Sequence, residues 1–514
     1  MACYLGIDAG TQSIKGILID PEKGIVSPSV SVHFGRELGQ YASPDGFLTG
    51  GDLLVHHADP QMWLDALDLL LQKMQRSGLP MHDIEGISGS GQQHGTVYLT
   101  ADFFTVLADL SPRQTLAEQL KNTYSRKTAP IWMDISTGKE CEKLRQKFGS
   151  CRLRKITGSD AAERFSAAQI MKFASCEPEK YQQTAVIHLV SSFLGSVFAG
   201  ESIPIDYGDG AGMNLLDLSA LDWHREIADF TAPGLLNKLP PCVKSNTVAG
   251  KLSPYFSKYG LRPGIPVSVW SGDNPCSLIG CGGYAPGTAV ISLGTSDTFF
   301  GSLKDLSDAP ESYGHIFGNP AGGFMHLLCF ANGSLTRETV RERYQFTRQD
   351  FEDAIKNSEP GKYQLLPFLF PESTPQVEKC GIVGNFDPEK ITPRELIRAL
   401  TESQFLTMRY HAGSAAQVSD CIRLTGGASE SLQLRQLAAD IFQVPVETGN
   451  FSEAPALGAA MRAANSCGNY SFAMLSEKFC SAAGRIEPHR NLVSASDQAL
   501  KRFAELIRNF TGKS

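Results

Sequence analysis

The sequence lacks the features that mark several broad classes of protein. It has no block of Lys and Arg, and 54 acidic against 47 basic residues give a formal net charge of −7, so it carries no electrostatic footprint for nucleic acid. Its twelve cysteines are scattered, without a CxxC or a Cys/His cluster of zinc spacing, which excludes a disulfide scaffold and a zinc module. No apolar run is long enough to span a membrane, and the N-terminus enters a strand-like run without a signal-peptide pattern. We therefore expect a cytoplasmic protein with no nucleic acid and no membrane as partner.

The chain has the composition and the patterning of an α/β enzyme. With 514 residues, it is too long for one hydrophobic core, and two large domains or two duplicated halves are expected. Strand-like runs alternate with amphipathic helices. A helix is predicted after Asp59-Pro60 and another after Thr392, where Glu395 completes a capping box. A third carries Leu434, Leu437, Ala438 and Ile441 on one face.

The stretch Gly6 to Asp20, GIDAGTQSIKGILID, fits two interpretations. Apolar runs on both sides of the glycine turn predict an ordinary hairpin. The same turn, with Gly10, Thr11, Gln12 and Ser13, would also present backbone and side-chain donors to a polyphosphate. Asp8, just before the turn, would then be free to hold a divalent metal, which prefers oxygen ligands.

A second stretch, Ala289 to Leu303 (AVISLGTSDTFFGSL), repeats this pattern of apolar run, Gly-Thr turn and apolar run. The turn contains Gly294, Thr295 and Ser296. Two such turns facing each other across a cleft would hold a polyphosphate from both sides. We therefore divide the chain near Gly283, into a first domain of residues 1–283 and a second domain of residues 284–514.

Three further motifs suggest ligand contacts. In WSGDNPCS, Asp273 follows a strand-like run, where it could accept a proton from a substrate hydroxyl beside Asn274; the alternative is an Asx turn or a helix cap. The run CIRLTGGAS places Gly426-Gly427 at a strand-to-helix turn, where a ligand can approach closely. GSGQQHG resembles a dinucleotide fingerprint, but its third glycine is one place late, which argues against a Rossmann dehydrogenase.

Together, GIDAGTQS, ISLGTSDT, SGDN, LTGGAS and EAPALGAA, in this order and at this spread, resemble the FGGY carbohydrate kinases. Within that family, the chain is most similar to xylulose kinases of the animal type through IWMDIST, ERFSAAQI, ISLGTSDTFF, GHIFGNP and LLCFANGSLTRE. The resemblance spans nearly the whole chain. It implies two actin-like ATPase domains of the ribonuclease H-like fold, with a ligand cleft between them.

The resemblance also implies a role for each matching residue. Asp8 corresponds to the metal-side carboxylate, Asp273 to the general base that also contacts the sugar, and Asn274 to a neighbouring sugar contact. His94 and Arg164 fall at sugar contacts, although on their own they would be taken for a structural histidine and a surface charge. The residues implied in ATP binding are Gly10, Thr11, Gln12, Ser13, Gly294, Thr295, Ser296, Gly426, Gly427 and Ser431.

The chain departs from the family pattern around the adenine. Where xylulose kinases usually place an Asn after LTGGAS, Glu430 and Ser431 follow here. A tryptophan that lines the adenine pocket in the animal type is missing from RERYQFTRQDF, where Phe346 or Arg348 could replace it by stacking. The departures concern purine recognition and leave the catalytic aspartate unchanged.

We therefore expect an ATP-dependent ketopentose kinase that uses Mg²⁺ and converts D-xylulose to D-xylulose 5-phosphate. One alternative keeps the chemistry and changes the acceptor to ribulose, another ketose or a polyol. A more distant alternative is a non-enzymatic, actin-like ATP-binding protein, which would not need His94, Arg164 and Asp273 together. The expected partners are a small sugar and ATP, and the sequence leaves open whether the protein is a monomer or a homodimer.

Overall fold

The computed structural model describes residues 2–48, 51–310, 313–378, 381–387, 390–413, 415, 420–449 and 453–511. The chain divides into two compact units, which are described separately. Unit 1 comprises Met1–Cys281, Ile316–Gly323 and Glu453–Phe479; unit 2 comprises Gly282–His315, Phe324–Ser452 and Cys480–Ser514. The predicted domains, 1–283 and 284–514, stay a prediction, and unit 1 also contains two segments from beyond that boundary.

Unit 1 is built on an eight-stranded mixed sheet. The strands Cys3–Ala9 and Ser13–Asp20 form an antiparallel hairpin, with pairs from Tyr4↔Ile19 to Ala9↔Ile14, while Cys3–Ala9 runs parallel to Ile84–Gly91. The opening stretch is therefore a hairpin, and this geometry is compatible with both interpretations of its turn. The order along the sheet is Val248–Lys251, Pro266–Ser268, Ile84–Gly91, Cys3–Ala9, Ser13–Asp20 and Ile25–Val26, with Ser271–Gly272 pairing Ile84–Gly91 and Val30–His33 pairing Ser13–Asp20.

Amphipathic helices cover this sheet. The predicted helix after Asp59 spans Pro60–Arg76, and Asp59 caps it by accepting a hydrogen bond from the Gln61 N–H. The other α-helices of unit 1 are Phe34–Glu37, Asp102–Ala108, Leu116–Leu120, Gly138–Phe148, Ser150–Thr157, Ser166–Cys176, Pro178–Gln183, Val190–Ala199, Tyr207–Gly210, Arg225–Thr231, Asp273–Gly280, Ala454–Gly468 and Phe472–Phe479. Short strand pairs are His57–Ala58 with Ala129–Pro130, Thr96–Leu99 with Val186–Leu189, Ile205–Asp206 with Cys242–Val243, and Leu216–Asp217 with Asp222–Trp223.

The helix Ala454–Gly468, which contains most of the EAPALGAA motif, packs against Cys3–Ala9 and against the helix Asp273–Gly280. A Cβ atom at Gly458 would lie 1.8 Å from the carbonyl oxygen of Cys276, a distance that no side chain can occupy. Glycine at this position therefore lets the two helices approach closely. The motif supports the helix that begins at Asp273.

Unit 2 contains a second mixed sheet, in which Thr288–Leu293 and Asp297–Leu303, the two apolar runs of the second Gly-Thr stretch, form an antiparallel hairpin. The strand Cys421–Thr425 runs parallel to Thr288–Leu293 on its other side. Strands follow one another in the order Phe324–Phe330, Asp297–Leu303, Thr288–Leu293, Cys421–Thr425, Val446–Thr448 and Gly484–Ile486. Outside this sheet, Leu365–Phe368 pairs with Gly381–Gly384 and Glu372–Ser373 with Gln376–Val377. The chain passes from unit 2 to unit 1 within one further strand, His315–Gly318.

The helices of unit 2 include the two others that the sequence predicts. The first spans Pro393–Ala412, with Thr392 and Glu395 in a capping box. The second spans Leu432–Phe442 and buries its predicted apolar face. Among the described residues of unit 2, the remaining α-helices are Ser334–Arg343, Arg348–Asn357 and Val493–Thr511. Within the described ranges, no helix combines the length and the apolar character that crossing a membrane requires.

Candidate active site

The first turn, Gly10 to Ser13, joins the hairpin strands of unit 1. The Gly10 N–H donates to the carbonyl oxygen of Ser13 at 3.0 Å and closes the turn. The indole Nε1–H of Trp132, a side chain that is 41% exposed, donates to Thr11 Oγ1 at 2.8 Å. The turn is therefore fixed by its own backbone and by a residue more than a hundred positions away.

Asp8 lies at the end of the strand that leads into this turn. Its Oδ1 accepts a hydrogen bond from Ser90 Oγ on the neighbouring parallel strand, and its Oδ2 lies on the side of Gly10, where an added Cβ would be 3.8 Å away. Burial raises the pKa of Asp8 to about 6, partly opposed by the Ser90 hydrogen bond and by the charge of Lys15. Lys15 itself forms an ion pair with Glu453 at 2.9 Å, so Asp8 is not fully neutralised.

Asp273 is the first residue of the helix Asp273–Gly280, at the end of the short strand Ser271–Gly272. Gly272 occupies the N-cap position, and no side chain caps this helix, so Asp273 does not have the helix-cap role of the alternative interpretation. Its Oδ1 accepts hydrogen bonds from the backbone N–H of Asn274 at 2.8 Å and from Asn274 Nδ2 at 3.1 Å. Burial, followed by the negative charge of Asp8, raises the pKa of Asp273 to about 7.

The coupling between these two aspartates bears on metal binding. A cation beside Asp8 would relieve both the desolvation of its carboxylate and the repulsion from Asp273. Within the described part of the chain, no group of three or more His, Cys, Asp and Glu side chains is placed to hold a metal. The single carboxylate of Asp8 nevertheless fits Mg²⁺, which usually binds through one or two carboxylates, several waters and the phosphates of its substrate.

His94 is a buried residue in a left-handed backbone conformation, with φ of 73°. Its Nδ1 lies 2.9 Å from the carbonyl oxygen of Gly212. Because that oxygen can only accept, Nδ1 carries the proton, and Nε2 is left as an acceptor. Burial and the nearby charge of Arg164 lower the pKa of His94 to about 3, so the ring is neutral and can accept a hydrogen bond from a hydroxyl group.

Arg164 lies in the loop before the helix Ser166–Cys176. The carbonyl oxygen of the preceding residue, Glu163, accepts hydrogen bonds from Thr137 Oγ1 at 2.6 Å and from Gln169 Nε2 at 3.1 Å, which anchors the loop. The ring of Phe165 lies 4.6 Å from the His94 ring, centroid to centroid. Arg164 and His94 therefore lie near each other, since the charge of Arg164 acts on the His94 ring; their assignment to the sugar stays a prediction.

The second turn, Gly294 to Ser296, has a different kind of support in unit 2. Asp297, the first residue after it, is fully buried and accepts a bidentate pair of hydrogen bonds from Arg337, at 2.8 and 3.0 Å. The carbonyl oxygens of Gly294 and Thr295 accept hydrogen bonds from the start of the helix Ser334–Arg343. The carboxylate next to this turn is therefore committed to an ion pair.

A cavity of about 550 Å³ opens beside the second turn within unit 2. Gly426, with φ of 90°, lies so close to the neighbouring parallel strand Thr288–Leu293 that a Cβ atom would be 2.5 Å from the carbonyl oxygen of Leu293. Gly427, in contrast, faces open space. The residues lining the cavity are Leu293, Gly294, Thr295, Ser334, Arg337, Glu338, Arg341, Arg348, Phe351, Glu352, Gly427, Ala428, Glu430, Ser431 and Leu434.

The residues that line the cavity show which of the two candidates could replace the missing tryptophan. Arg348 lines it, whereas Phe346 does not; Phe351, one helical turn after Arg348, supplies the aromatic ring instead. Ser431 Oγ accepts a hydrogen bond from the Leu434 N–H at 3.1 Å as the N-cap of the helix Leu432–Phe442. Its hydroxyl proton can still be donated to a ligand.

Sequence patterns missed several residues of this region. Trp132 stands beside the first turn, and Gln93 and Asp209 lie beside Asp273 and Asn274. Trp132 is part of the quoted motif IWMDIST and Gln93 of GQQHG, so the signal was present. Nothing local in the sequence connects either residue to its partner.

Two sequence models of one family match this chain. The model for the N-terminal domain of the FGGY family of carbohydrate kinases matches residues 114–280, and the model for its C-terminal domain matches residues 289–467. The chain belongs to the FGGY family of carbohydrate kinases. It is therefore a phosphotransferase that acts on a small sugar with ATP as co-substrate, and the recognition of this family from sequence motifs is confirmed.

Named relatives cover nearly the full chain. Xylulose kinase of Rattus norvegicus is 38% identical over 529 aligned positions, covering 100% of this chain and 98% of the rat protein. Xylulose kinase 2 of Arabidopsis thaliana is 37% identical over 486 positions, covering 90% of this chain and 87% of the plant protein. The similarity to xylulose kinases of the animal type agrees with the sequence motifs.

Solved structures show the same fold. A ligand-bound xylulose kinase from Lactobacillus acidophilus has a TM-score of 0.82 at 20% identity, over 100% of this chain and 99% of that one. A xylulose kinase from Rhodospirillum rubrum has a TM-score of 0.83 at 17% identity, with 99% of both chains covered. The predicted α/β class with ribonuclease H-like, actin-like domains is confirmed. The cleft expected between the domains stays a prediction.

Proposed function

We propose that this kinase transfers the terminal phosphoryl group of ATP to the hydroxyl on carbon 5 of D-xylulose, giving D-xylulose 5-phosphate and ADP, with Mg²⁺ as the metal. The observation that carries the choice of sugar is the 38% identity to rat xylulose kinase across the whole chain. Within unit 1, a carboxylate with a raised pKa, an amide and a neutral imidazole suit the recognition of a polyhydroxylated, uncharged acceptor.

In this proposal, Asp273 is the general base. A pKa of about 7 puts the carboxylate close to the optimum for taking a proton at neutral pH and returning it to solvent. As the C5 oxygen attacks the γ-phosphorus and the bond to the ADP oxygen breaks, the hydroxyl proton passes to Asp273. Asn274, His94 and Arg164 are assigned to the other hydroxyl and carbonyl groups of the sugar.

The phosphates are assigned to the two turns and the adenosine to the cavity of unit 2. The first turn contributes Gly10, Thr11, Gln12 and Ser13, and the second contributes Gly294, Thr295 and Ser296. Gly426, Gly427 and Ser431 are assigned to the nucleoside, with Arg348 and Phe351 as stacking partners for the purine. We further propose that residues 1–283 and 284–514 are the sugar-binding and the nucleotide-binding domain.

Asp8 is assigned to Mg²⁺. When bound, the metal would neutralise negative charge that develops on the phosphoryl group. The fit depends on the buried carboxylate of Asp8 and on its repulsion from Asp273. We also propose a cytoplasmic location, since the twelve cysteines are scattered along the sequence without the pattern of a disulfide scaffold, as expected in a reducing compartment.

A panel of acceptors with coupled detection of ADP tests the proposed function. We expect kcat/KM for D-xylulose to exceed that for D-ribulose, D-fructose and xylitol by at least about tenfold, since a site that hydrogen-bonds each hydroxyl discriminates strongly. A higher value for another acceptor would contradict the choice of sugar. ATP binding without ADP release in the presence of any acceptor would favour a non-enzymatic ATP-binding protein instead.

The sugar site has its own test. His94→Ala and Arg164→Ala should raise the KM for D-xylulose much more than the KM for ATP, because both side chains are assigned to the sugar. A change in the KM for ATP alone would show that the assignment of these two residues is wrong.

A further inference from the structure

Gln93 links the sugar-binding loop to the residue proposed as general base. Its Oε1 accepts a hydrogen bond from Asn274 Nδ2 at 2.7 Å, and its backbone N–H lies close enough to Asp273 to lower the pKa of that carboxyl group. The side chain packs directly on the backbone before the helix, since a Cβ atom at Gly272 would lie 2.4 Å from Gln93 Cγ. Gln93 is also only 2% exposed, so water does not compete for these contacts.

Asp209 lies on the other side of the Gln93 amide. This carboxyl group is 1% exposed, and its Oδ2 accepts a hydrogen bond from Ser191 Oγ. Its Oδ1 and Gln93 Nε2 are both buried and have no hydrogen-bond partner among the described residues, and the amide of Gln93 lies near enough to lower the pKa of Asp209. The backbone N–H of Asp209 donates to Asp206 Oδ1 at 2.9 Å, which fixes the residue at the start of a helical turn. Asp209 belongs to neither the sugar contacts nor the phosphate turns, and the proposed chemistry does not use it.

A primary amide has one acceptor and one donor end, so its orientation depends on its neighbours. The unpaired Oδ1 of Asp209 is an acceptor and favours the donor end of the Gln93 amide on its side, which directs Oε1 toward Asn274. Oε1 in turn holds the Asn274 amide by its NH₂ group, which also donates to Asp273. The Oδ1 atom of Asn274 is then the end of that amide available to accept a hydrogen bond from a sugar hydroxyl.

We propose that Gln93 is a positioning residue, oriented by Asp209, that fixes the amide of Asn274 and through it the carboxylate of Asp273. This inference rests on the proposed function, because it assigns Asn274 and Asp273 to the sugar. It adds two residues to the site, and both act only through others. Gln93 should therefore affect catalysis with the sugar while leaving the use of ATP unchanged.

A double-mutant cycle tests this relation. Gln93→Met keeps the length of the side chain and removes its hydrogen bonds, so kcat/KM for D-xylulose should fall about tenfold, as for the loss of one buried hydrogen bond. In an Asn274→Ala background, the same Gln93→Met substitution should change kcat/KM less than about twofold. A full tenfold loss in that background would show that Gln93 does not act through Asn274.

Two further variants keep the test decisive if Gln93→Met is poorly folded. Asp209→Ala should reproduce the loss caused by Gln93→Met, whereas Asp209→Asn, which retains an acceptor oxygen, should stay within about threefold of wild type. Unchanged kcat/KM in Asp209→Ala would overturn the role of Asp209. Gln146→Met, on the exposed face of the helix Gly138–Phe148, is the matched control and should have no effect.

The failure of this inference can be distinguished from the failure of the proposed function. If wild type prefers another ketose, the choice of D-xylulose is wrong, and the same cycle is measured with that ketose. Additive effects of Gln93→Met and Asn274→Ala with a good substrate would overturn only the positioning role.

Discussion

The two glycine turns are alike in sequence and in hairpin geometry, yet the carboxylates beside them have different hydrogen-bond and charge partners. Asp8 precedes the first turn and has a serine hydroxyl and a lysine already paired with Glu453 as its neighbours. Asp297 follows the second turn and is held by two hydrogen bonds from Arg337. The first carboxylate is left available for a cation, whereas the second is neutralised within the fold.

This difference indicates that the two copies of the motif have different roles. A buried carboxylate with an arginine partner stabilises its surroundings only as a pair, and breaking such a pair is costly. Burial raises the pKa of both carboxyl groups, but Arg337 opposes this at Asp297 with two hydrogen bonds. A buried carboxylate without such a partner is a candidate for function. We infer that the first turn provides the chemistry at the phosphates, while Asp297 and Arg337 hold the shape of the second turn.

The largest effect is expected from breaking the ion pair of the second turn. Arg337→Ala would leave the Asp297 carboxylate buried without a countercharge, so the free energy of unfolding should fall by about 3–5 kcal/mol. Chemical denaturation of both proteins measures this change. Arg343→Ala, on the exposed end of the same helix, is the control, with an expected change below about 0.5 kcal/mol. Equal effects of the two variants would mean that the pair has no special role.

Removing the charge next to the first turn should lower the turnover rate and leave stability unchanged, the opposite of the effect expected at the second turn. Asp8→Asn keeps the shape of the side chain and weakens the hold on Mg²⁺, so kcat should fall on the order of 100-fold, with no loss of stability. Turnover is measured across a series of Mg²⁺ concentrations, and thermal unfolding is measured on the same sample. Turnover equal to wild type at saturating Mg²⁺ would leave Asp8 as a residue of an ordinary hairpin.

The coupling of Asp8 and Asp273 predicts a pH dependence of stability. Because the folded-state pKa of Asp273 is raised to about 7, the native state binds its proton more tightly than the unfolded state does. Its contribution to stability is therefore present below about pH 4 and is lost as the pH rises through about 7. Asp273→Asn should thus have a higher Tm than wild type above pH 7, by on the order of 1–2 °C.

This difference in Tm should disappear below pH 4, and thermal unfolding across the pH range without nucleotide or Mg²⁺ measures it. In an Asp8→Asn background, the upper end of the pH window should move to lower pH, because a negative neighbour has been removed. An Asp273→Asn variant less stable than wild type at pH 8 would contradict the raised pKa.

The smallest effect concerns the support of the first turn. Trp132→Phe removes the hydrogen bond to Thr11 Oγ1 but keeps an aromatic ring, so the KM for ATP should rise about threefold, in line with one partly exposed hydrogen bond. Steady-state kinetics measures the change. Trp223→Phe, whose indole Nε1–H donates to Pro240 elsewhere in unit 1, serves as the control. An identical KM for ATP in wild type and Trp132→Phe would show that the hydrogen bond from Trp132 to Thr11 does not support ATP binding.

Local patterns were sufficient for much of the fold. The helices after Asp59 and Thr392 and the similarity of the two Gly-Thr stretches were predicted, because caps, turns and apolar periodicity are encoded within a few residues. The sequence did not predict that Glu453–Phe479, near the end of the chain, belongs to unit 1. It depends on the fit of small residues such as Gly458 against a distant helix, and no local pattern expresses such a fit.

The candidate site shows the same limit. Asp8, Asp273 and the two turns stand out because their motifs carry recognisable chemistry. The contacts between Trp132 and Thr11, and between Gln93 and Asn274, join residues 121 and 181 positions apart, so only the folded chain reveals them. The sequence left both Phe346 and Arg348 as possible replacements for the missing tryptophan. The structure distinguishes them, because Arg348 lines the cavity and Phe346 does not.

The proposed general base is tested most directly by Asp273→Asn, which keeps the shape of the side chain but cannot accept a proton. A positioned base contributes about two to four orders of magnitude, so kcat should fall by at least about 100-fold while calorimetric binding of D-xylulose to the same sample is retained. A variant that keeps more than about a third of the wild-type kcat, far short of that contribution, would contradict the account. Loss of both turnover and sugar binding would make Asp273 a sugar contact and not the base.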